Sequence, residues 1–342
     1  MPFLLPFLVL LPACSSLPQA SDEPLENVFE NVRSSVVTLR TISRTGPIGS
    51  DGQVATEAGV GSGVLIDETG RILTASHVVN LADKVLVEFA DGARREARVL
   101  GSHTQADVGL VQIEESLPKS ARPAALGDSD VTRVGESVFV VGAPLGVTHT
   151  LTKGIVSARR RSPLPFGSLH KIQHFQTDAP INPGNSGGPM FNMRGEVIGI
   201  VSHIISRTGG SQGLGFAVTS NDCRALMLDR APIWSGIDGL LLLGDAARLF
   251  QIPGGASGLL VEHVAAGSLG EEIGLVGGSV PATILEQELL LGGDIVLEVG
   301  GVRVDDPDRE NKIRAAMNAG AQLNVLALRG GERLFLKIPP RR

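Results

Sequence analysis

The sequence predicts a mostly β protein in two parts, a β domain of the barrel or sandwich type followed by a small α+β domain. Three observations carry this. The chain has 342 residues, more than one hydrophobic core usually organises. Its 43 glycines, about twice the ordinary share, are spread over the whole length and favour many tight turns. Short β-prone runs recur between turn signals, and no helix is convincing before Ser220. Charged residues at 19% and hydrophobic ones at 42% exclude disordered and fibrous architectures. A formal charge of -6, with no arginine-rich face interleaved with aromatics, argues against nucleic acid as a partner.

The elements follow in order. Residues 1–14 read as an export signal: Phe3 to Leu11 is too short to span a bilayer but suits the apolar region of a leader. Leu11-Pro12-Ala13-Cys14 resembles a lipoprotein box, so Cys14 is either a lipidation site that attaches the chain to a membrane or part of an ordinary cleaved signal. Both place the body outside the cytoplasm. Residues 15–27 read as a tether. Strands are expected at Val36–Leu39, Gly63–Ile66, Val85–Phe89, Gly109–Ile113, Val138–Val141, Ile155–Ser157, Lys171–Gln176, Val197–Ser202 and Gly215–Val218. A helix over Ser220–Leu228 with Ser220 as N-cap ends this part, giving a β domain over 28–230. After Ala231-Pro232 comes the second unit, 231–342. Its strands are expected at Gly258–Glu262, Ile295–Val299 and Leu323–Leu328, with a capping box at Ser268–Glu271 and a helix Lys312–Asn318 closed by Gly320. Cys223 is the single cysteine after the leader, so no internal disulfide can form, and it is expected as a small buried hydrophobe.

Three short segments could carry chemistry. Thr74-Ala75-Ser76-His77-Val78-Val79 puts a histidine just after a β run; Ala106-Asp107-Val108-Gly109-Leu110 sets one acid at the head of an apolar strand. Asn182-Pro183-Gly184-Asn185-Ser186-Gly187-Gly188-Pro189 is a turn-rich loop with one hydroxyl, whose glycines let backbone N–H groups turn inward. A lone histidine or aspartate is ordinarily structural. The order His, Asp, Ser in an exported β-rich chain reproduces that of chymotrypsin-like proteases.

With these motifs, with Gln176–Pro189, Gly154–Ala158 and Gly213–Val218, the chain resembles the HtrA/DegP family of trypsin-like serine proteases over about Val28 to Ile338. The resemblance implies a chymotrypsin-like double β-barrel followed by a PDZ domain. It implies His77 as base and then acid, Asp107 as the carboxylate that fixes its tautomer, and Ser186 as nucleophile. Backbone N–H groups of Gly184 and Ser186 would hold the oxyanion, and neither metal nor cofactor is required. The S1 pocket would be walled by Pro180, Ile181, Ile200, Val201 and Ser202; with no acid among them, small or medium aliphatic side chains are expected, unless Ile181 points into the core instead. His170 and His174 read as surface residues, and Arg159-Arg160-Arg161 as a solvated loop. In the PDZ domain Trp234, Ser235, Gly236 and Ile237 would form the peptide-binding turn, although Ser235 stands where a bulky apolar residue is usual and Gly277–Leu291 reads as an extended loop. The expected partners are unfolded protein or peptide substrates and two further copies of the chain in a homotrimer, in the periplasm or cell envelope. The alternatives are a non-catalytic peptide-binding module and a secreted protease of narrow specificity.

Overall fold

A computed structural model describes residues 23–48, 54–143, 149–161, 172–206, 209–284 and 287–340; the expected leader, Cys14, His170 and most of the tether lie outside them. The first described element is a helix, α1 (Leu25–Val32), where no helix was expected. Leu25, Val28, Phe29 and Val32 recur at helical spacing and pack onto the core between the two barrels. Eight residues are too few for that period to stand out in the sequence alone.

Twelve strands then close two barrels. The first is built of β1 (Val36–Ile48), β2 (Val54–Leu65), β3 (Arg71–Thr74), β4 (Lys84–Glu88), β5 (Arg94–His103) and β6 (Val108–Ile113), in the order β1-β2-β3-β6-β5-β4. A one-turn helix, α2 (Ser76–Val79), follows β3. The second barrel is built of β7 (Ser137–Gly142), β8 (Thr150–Arg161), β9 (Gln173–Thr177), β10 (Pro189–Asn192), β11 (Val197–Ile204) and β12 (Gly215–Thr219). Its order, β7-β8-β9-β12-β11-β10, repeats that of the first barrel without a repeat in the sequence. Alternating side chains fill each interior: Val37, Leu39, Val85 and Val87 in the first, Val138, Val140, Phe175 and Met190 in the second. A third cluster, with Val64, Leu73, Phe139, Phe191 and Ile200, seals the barrels together, and α3 (Ser220–Met227) adds Cys223, Leu226 and Met227 to it. Cys223 is fully buried, which pushes its thiol pKa up.

Several local expectations change. The N-cap of α3 is Thr219, because Ser220 Oγ is drawn to the carbonyl of Gly127 at 2.7 Å. Arg159, Arg160 and Arg161 end β8 rather than lying in a loop, and the Arg159 guanidinium sits 5.3 Å from the centre of the Phe175 ring. His174 is not a surface residue: it lies in β9, only 6% exposed, because β9 is covered by β8 and β12.

The C-terminal unit has a five-stranded antiparallel path through β13 (Ile237–Leu242), β14 (Gly258–Val264), β17 (Ile295–Val299), β19 (Leu323–Arg329) and β20 (Glu332–Ile338), with β18 (Val302–Arg303) beside β17. Helices α4 (Gly244–Leu249), α5 (Leu269–Glu272) and α6 (Arg309–Asn318) complete it. Half of the capping box forms: Ser268 Oγ accepts from Glu271 N at 3.3 Å, but Glu271 Oε2 accepts from Gly267 N at 2.7 Å, one residue before the N-cap, because Ser268 N donates to the Ala265 carbonyl. The stretch expected as an extended loop contains a hairpin, β15 (Val280–Ile284) paired with β16 (Gln287–Leu291). This unit rests on the first barrel. Trp234 is buried there, its indole donating to the Asn80 carbonyl at 2.8 Å, and Asn80 Nδ2 donates to the Ile237 carbonyl at 3.1 Å.

Candidate active site

His77 stands on α2, a turn that follows directly from β3. The turn is tied to β5 by the 2.6 Å contact of Ser76 Oγ with Ser102 Oγ, and its end is tied to the C-terminal unit through Asn80. Asp107 lies in the tight β5–β6 connection with φ of 56°, a left-handed conformation that aspartate tolerates better than most residues. His103 steadies this turn by accepting from Ala106 N at 3.1 Å. The turn aims the carboxylate at α2. His77 Nδ1 lies 2.9 and 3.0 Å from the two carboxylate oxygens, and the His77 backbone N–H donates to Oδ1 at 3.0 Å. Ser202 Oγ, from β11 of the other barrel, donates to Oδ2 at 2.5 Å.

These contacts set the electrostatics. Burial alone would raise the Asp107 pKa, but the hydrogen bond and charge of His77 and the Ser202 hydroxyl hold it below the ordinary carboxylate value. The hydrogen bond to Asp107 raises His77 above the ordinary imidazole value, against the opposing effect of burial. With Nδ1–H committed to Asp107, Nε2 is the ring atom left to accept a proton.

Ser186 belongs to the loop before β10. This loop is wedged between the barrels: Ser62 N donates to the Ser186 carbonyl at 2.8 Å, Ser62 Oγ to the Gly184 carbonyl at 2.7 Å, and Gly187 N to the Val201 carbonyl at 2.7 Å. Gly187 has φ of 81°, and a Cβ there would sit 2.2 Å from Thr74 Oγ1 and 2.3 Å from the Ser62 carbonyl oxygen. Only glycine lets the loop come this close. Gly184 has φ of 99°, and among the described residues no carbonyl accepts from the N–H of Gly184 or Ser186. Ser186 Oγ donates to the Ser202 carbonyl at 3.4 Å rather than to His77.

His77, Asp107 and Ser186 line one cleft of about 620 Å³. Asp238 and His263, cross-strand partners on β13 and β14, share it without any local pattern to announce them, since the docking of the C-terminal unit brings them there. Ser62 and His103 were equally silent, being ordinary residues whose bonds depend on strands far apart in the chain. Among the expected S1 residues, Pro180 is exposed, Ile181 and Val201 pack in the core of the second barrel, Ile200 packs between the barrels, and Ser202 turns to Asp107. Strand alternation sends Ile200 and Val201 to opposite sides. In the C-terminal unit Trp234 faces the first barrel, Gly236 has φ of 61°, and Ser235 and Ile237 line an apolar pocket of about 340 Å³ together with Ile313 and Met317 of α6. Among the described residues no group of three or more His, Cys, Asp or Glu side chains could hold a metal ion.

Comparison with known proteins agrees with this geometry. Residues 61–200, which contain all three residues of the cleft, match the family described as Trypsin-like peptidase domain. The chain is 36% identical over 294 residues, 84% of its length, to a probable periplasmic serine endoprotease DegP-like of Halomonas elongata. It is 40% identical over 288 residues, 82% of its length, to the periplasmic pH-dependent serine endoprotease DegQ of Escherichia coli. It spans only 57% and 59% of these relatives' own lengths. Among solved structures it is similar to the HtrA-type protease AlgW with tripeptide, at 28% identity and a TM-score of 0.55, over 93% of this chain and 96% of that one. These likenesses are to a trypsin-like peptidase domain over residues 61–200 and to HtrA-type serine proteases over most of the chain.

Proposed function

We propose that this chain is a serine endopeptidase of the bacterial periplasm or cell envelope that cleaves unfolded or damaged proteins. The observation that carries the reading is the His77–Asp107 pair sharing a cleft with Ser186 on a glycine-wedged loop. In the reaction the Ser186 hydroxyl turns from the Ser202 carbonyl towards His77. Its oxygen attacks the scissile carbonyl while Nε2 takes the proton, and the imidazolium is stabilised by Asp107. The N–H groups of Gly184 and Ser186 hold the oxyanion, each worth about 3 kcal/mol. His77 then protonates the leaving amine, and water releases the acyl group by the reverse proton path.

The C-terminal unit reads as a PDZ domain. Support comes from β13 at the edge of its sheet beside an apolar pocket and α6, a setting for peptide capture by strand addition. Attachment to a membrane through Cys14 and assembly into a homotrimer belong to the same reading. The deciding experiment is cleavage of unfolded casein by the purified chain beside Ser186→Ala. Turnover lost only in the variant supports the assignment; equal turnover would show that Ser186 is not the nucleophile, and no turnover in either, with peptide binding retained, replaces the reading with that of a binding module.

A further inference from the structure

Next to the triad β11 carries a histidine that the proposed mechanism does not use. His203 Nδ1 lies 3.0 Å from Ser202 Oγ, the hydroxyl that donates to Asp107. A hydroxyl has one proton to give and two lone pairs to receive with. With the proton committed to Asp107 Oδ2, the His203 contact must be Nδ1–H donating to Oγ. The other tautomer would set two acceptors competing for one proton.

The ring is held for this task. It stacks on Phe216 of β12, centroids 4.9 Å apart at 12°, and His174 of β9 meets it edge-on at 5.9 Å. His174 is buried with its Nδ1 unpartnered; burial and the neighbouring His203 push its pKa down to about 4. Burial also lowers His203, opposed by Asp107 and reinforced by His77. Both rings are therefore neutral at neutral pH, where a fixed tautomer has meaning.

We propose that His203 is a positioning residue of the triad: its Nδ1–H orients the Ser202 hydroxyl so that the Ser202 proton points at Asp107, which keeps the carboxylate aligned with His77 Nδ1. The proposal rests on the peptidase reading. Its reach is indirect, through Ser202 and Asp107, so its loss should slow the chemical step without weakening substrate binding.

The test uses the full chain with His203→Phe, which keeps the ring stack but removes the donor, His203→Asn, whose amide N–H falls near the place of Nδ1–H, Ser202→Ala, and the double variant His203→Phe with Ser202→Ala. Expected is a kcat for an unfolded protein substrate lowered about three- to tenfold by His203→Phe, the range of one net hydrogen bond, with KM within about twofold and kcat largely restored by His203→Asn. The double variant should lose no more than Ser202→Ala alone, because the two residues act in series. The low-field proton resonance of His77 Nδ1–H should move in His203→Phe and return in His203→Asn. Unchanged kcat, a rise confined to KM, or losses that multiply in the double variant would each overturn the proposal. Should His203→Phe fail to fold, His203→Leu takes its place. Wild-type protein without turnover would defeat the peptidase reading, and the proton resonance would still decide whether His203 orients the pair.

Discussion

The two barrels have the same strand order, yet they hold their parts of the site by different forces. In the first, His77 and Asp107 are fixed by side-chain hydrogen bonds to each other and to Ser202, with the turn beneath them steadied by His103. In the second, Ser186 is placed by backbone bonds and by close contact, with Gly187 pressed against Thr74 and Ser62. The difference follows from what each part must do. A half-buried charged pair is stable only if donors meet its carboxylate, whereas a neutral nucleophile needs only a loop that cannot shift. The barrels depend on each other as well, since Ser202 of the second supports the carboxylate of the first and Ser62 of the first supports the loop of the second.

Removing any one of the three side chains should have the largest effect. Ser186→Ala, His77→Ala or Asp107→Ala should each lower kcat by about 10³-fold or more while the circular dichroism spectrum stays native, and paired losses should not add. Next is the contact between units. Trp234→Ala removes a buried indole and its bond to Asn80; about 3–5 kcal/mol of packing should be lost, read as a lower Tm and as new proteolysis near residue 231. The packed half is tested by Gly187→Ala, which should cost about 1–3 kcal/mol by overpacking and lower kcat as the loop shifts. Retained stability and kcat would show that the loop is not wedged at Gly187.

A pH profile sharpens the comparison. His77 must be neutral to act as base, and its pKa is raised by Asp107. Activity should therefore fall with acidification through a midpoint above the ordinary imidazole value, and Asp107→Asn should move that midpoint down as kcat drops. A midpoint at or below the ordinary value would mean that the pair is not coupled. The smallest effect belongs to Glu271→Gln, which keeps an acceptor for Gly267 N but removes the charge that pairs with Arg44 at 3.5 Å. That pair spans the two units but is 40% and 50% exposed, so well under about 1 kcal/mol is expected in a melt.

The residues that the structure gathers in the cleft were legible because each lies in a short local pattern. His77 directly follows a β run, Asp107 precedes an apolar strand, and Ser186 sits among glycines that nothing but a close approach demands. The β-rich character was legible for the same reason, since turn residues and alternation act over a few neighbours. What sequence could not show depends on which strands meet. His174 looks solvated until β8 and β12 cover it, and Ser202 reads as a pocket wall until β11 brings it to Asp107. Asp238 and His263 enter the cleft only when Trp234 docks the C-terminal unit. Local pattern sufficed to single out the candidate groups and the periodicity that buries apolar side chains. Their donors, their protonation and their neighbours came from the folded arrangement, because hydrogen bonds and desolvation act through space between segments that lie up to about two thirds of the chain apart.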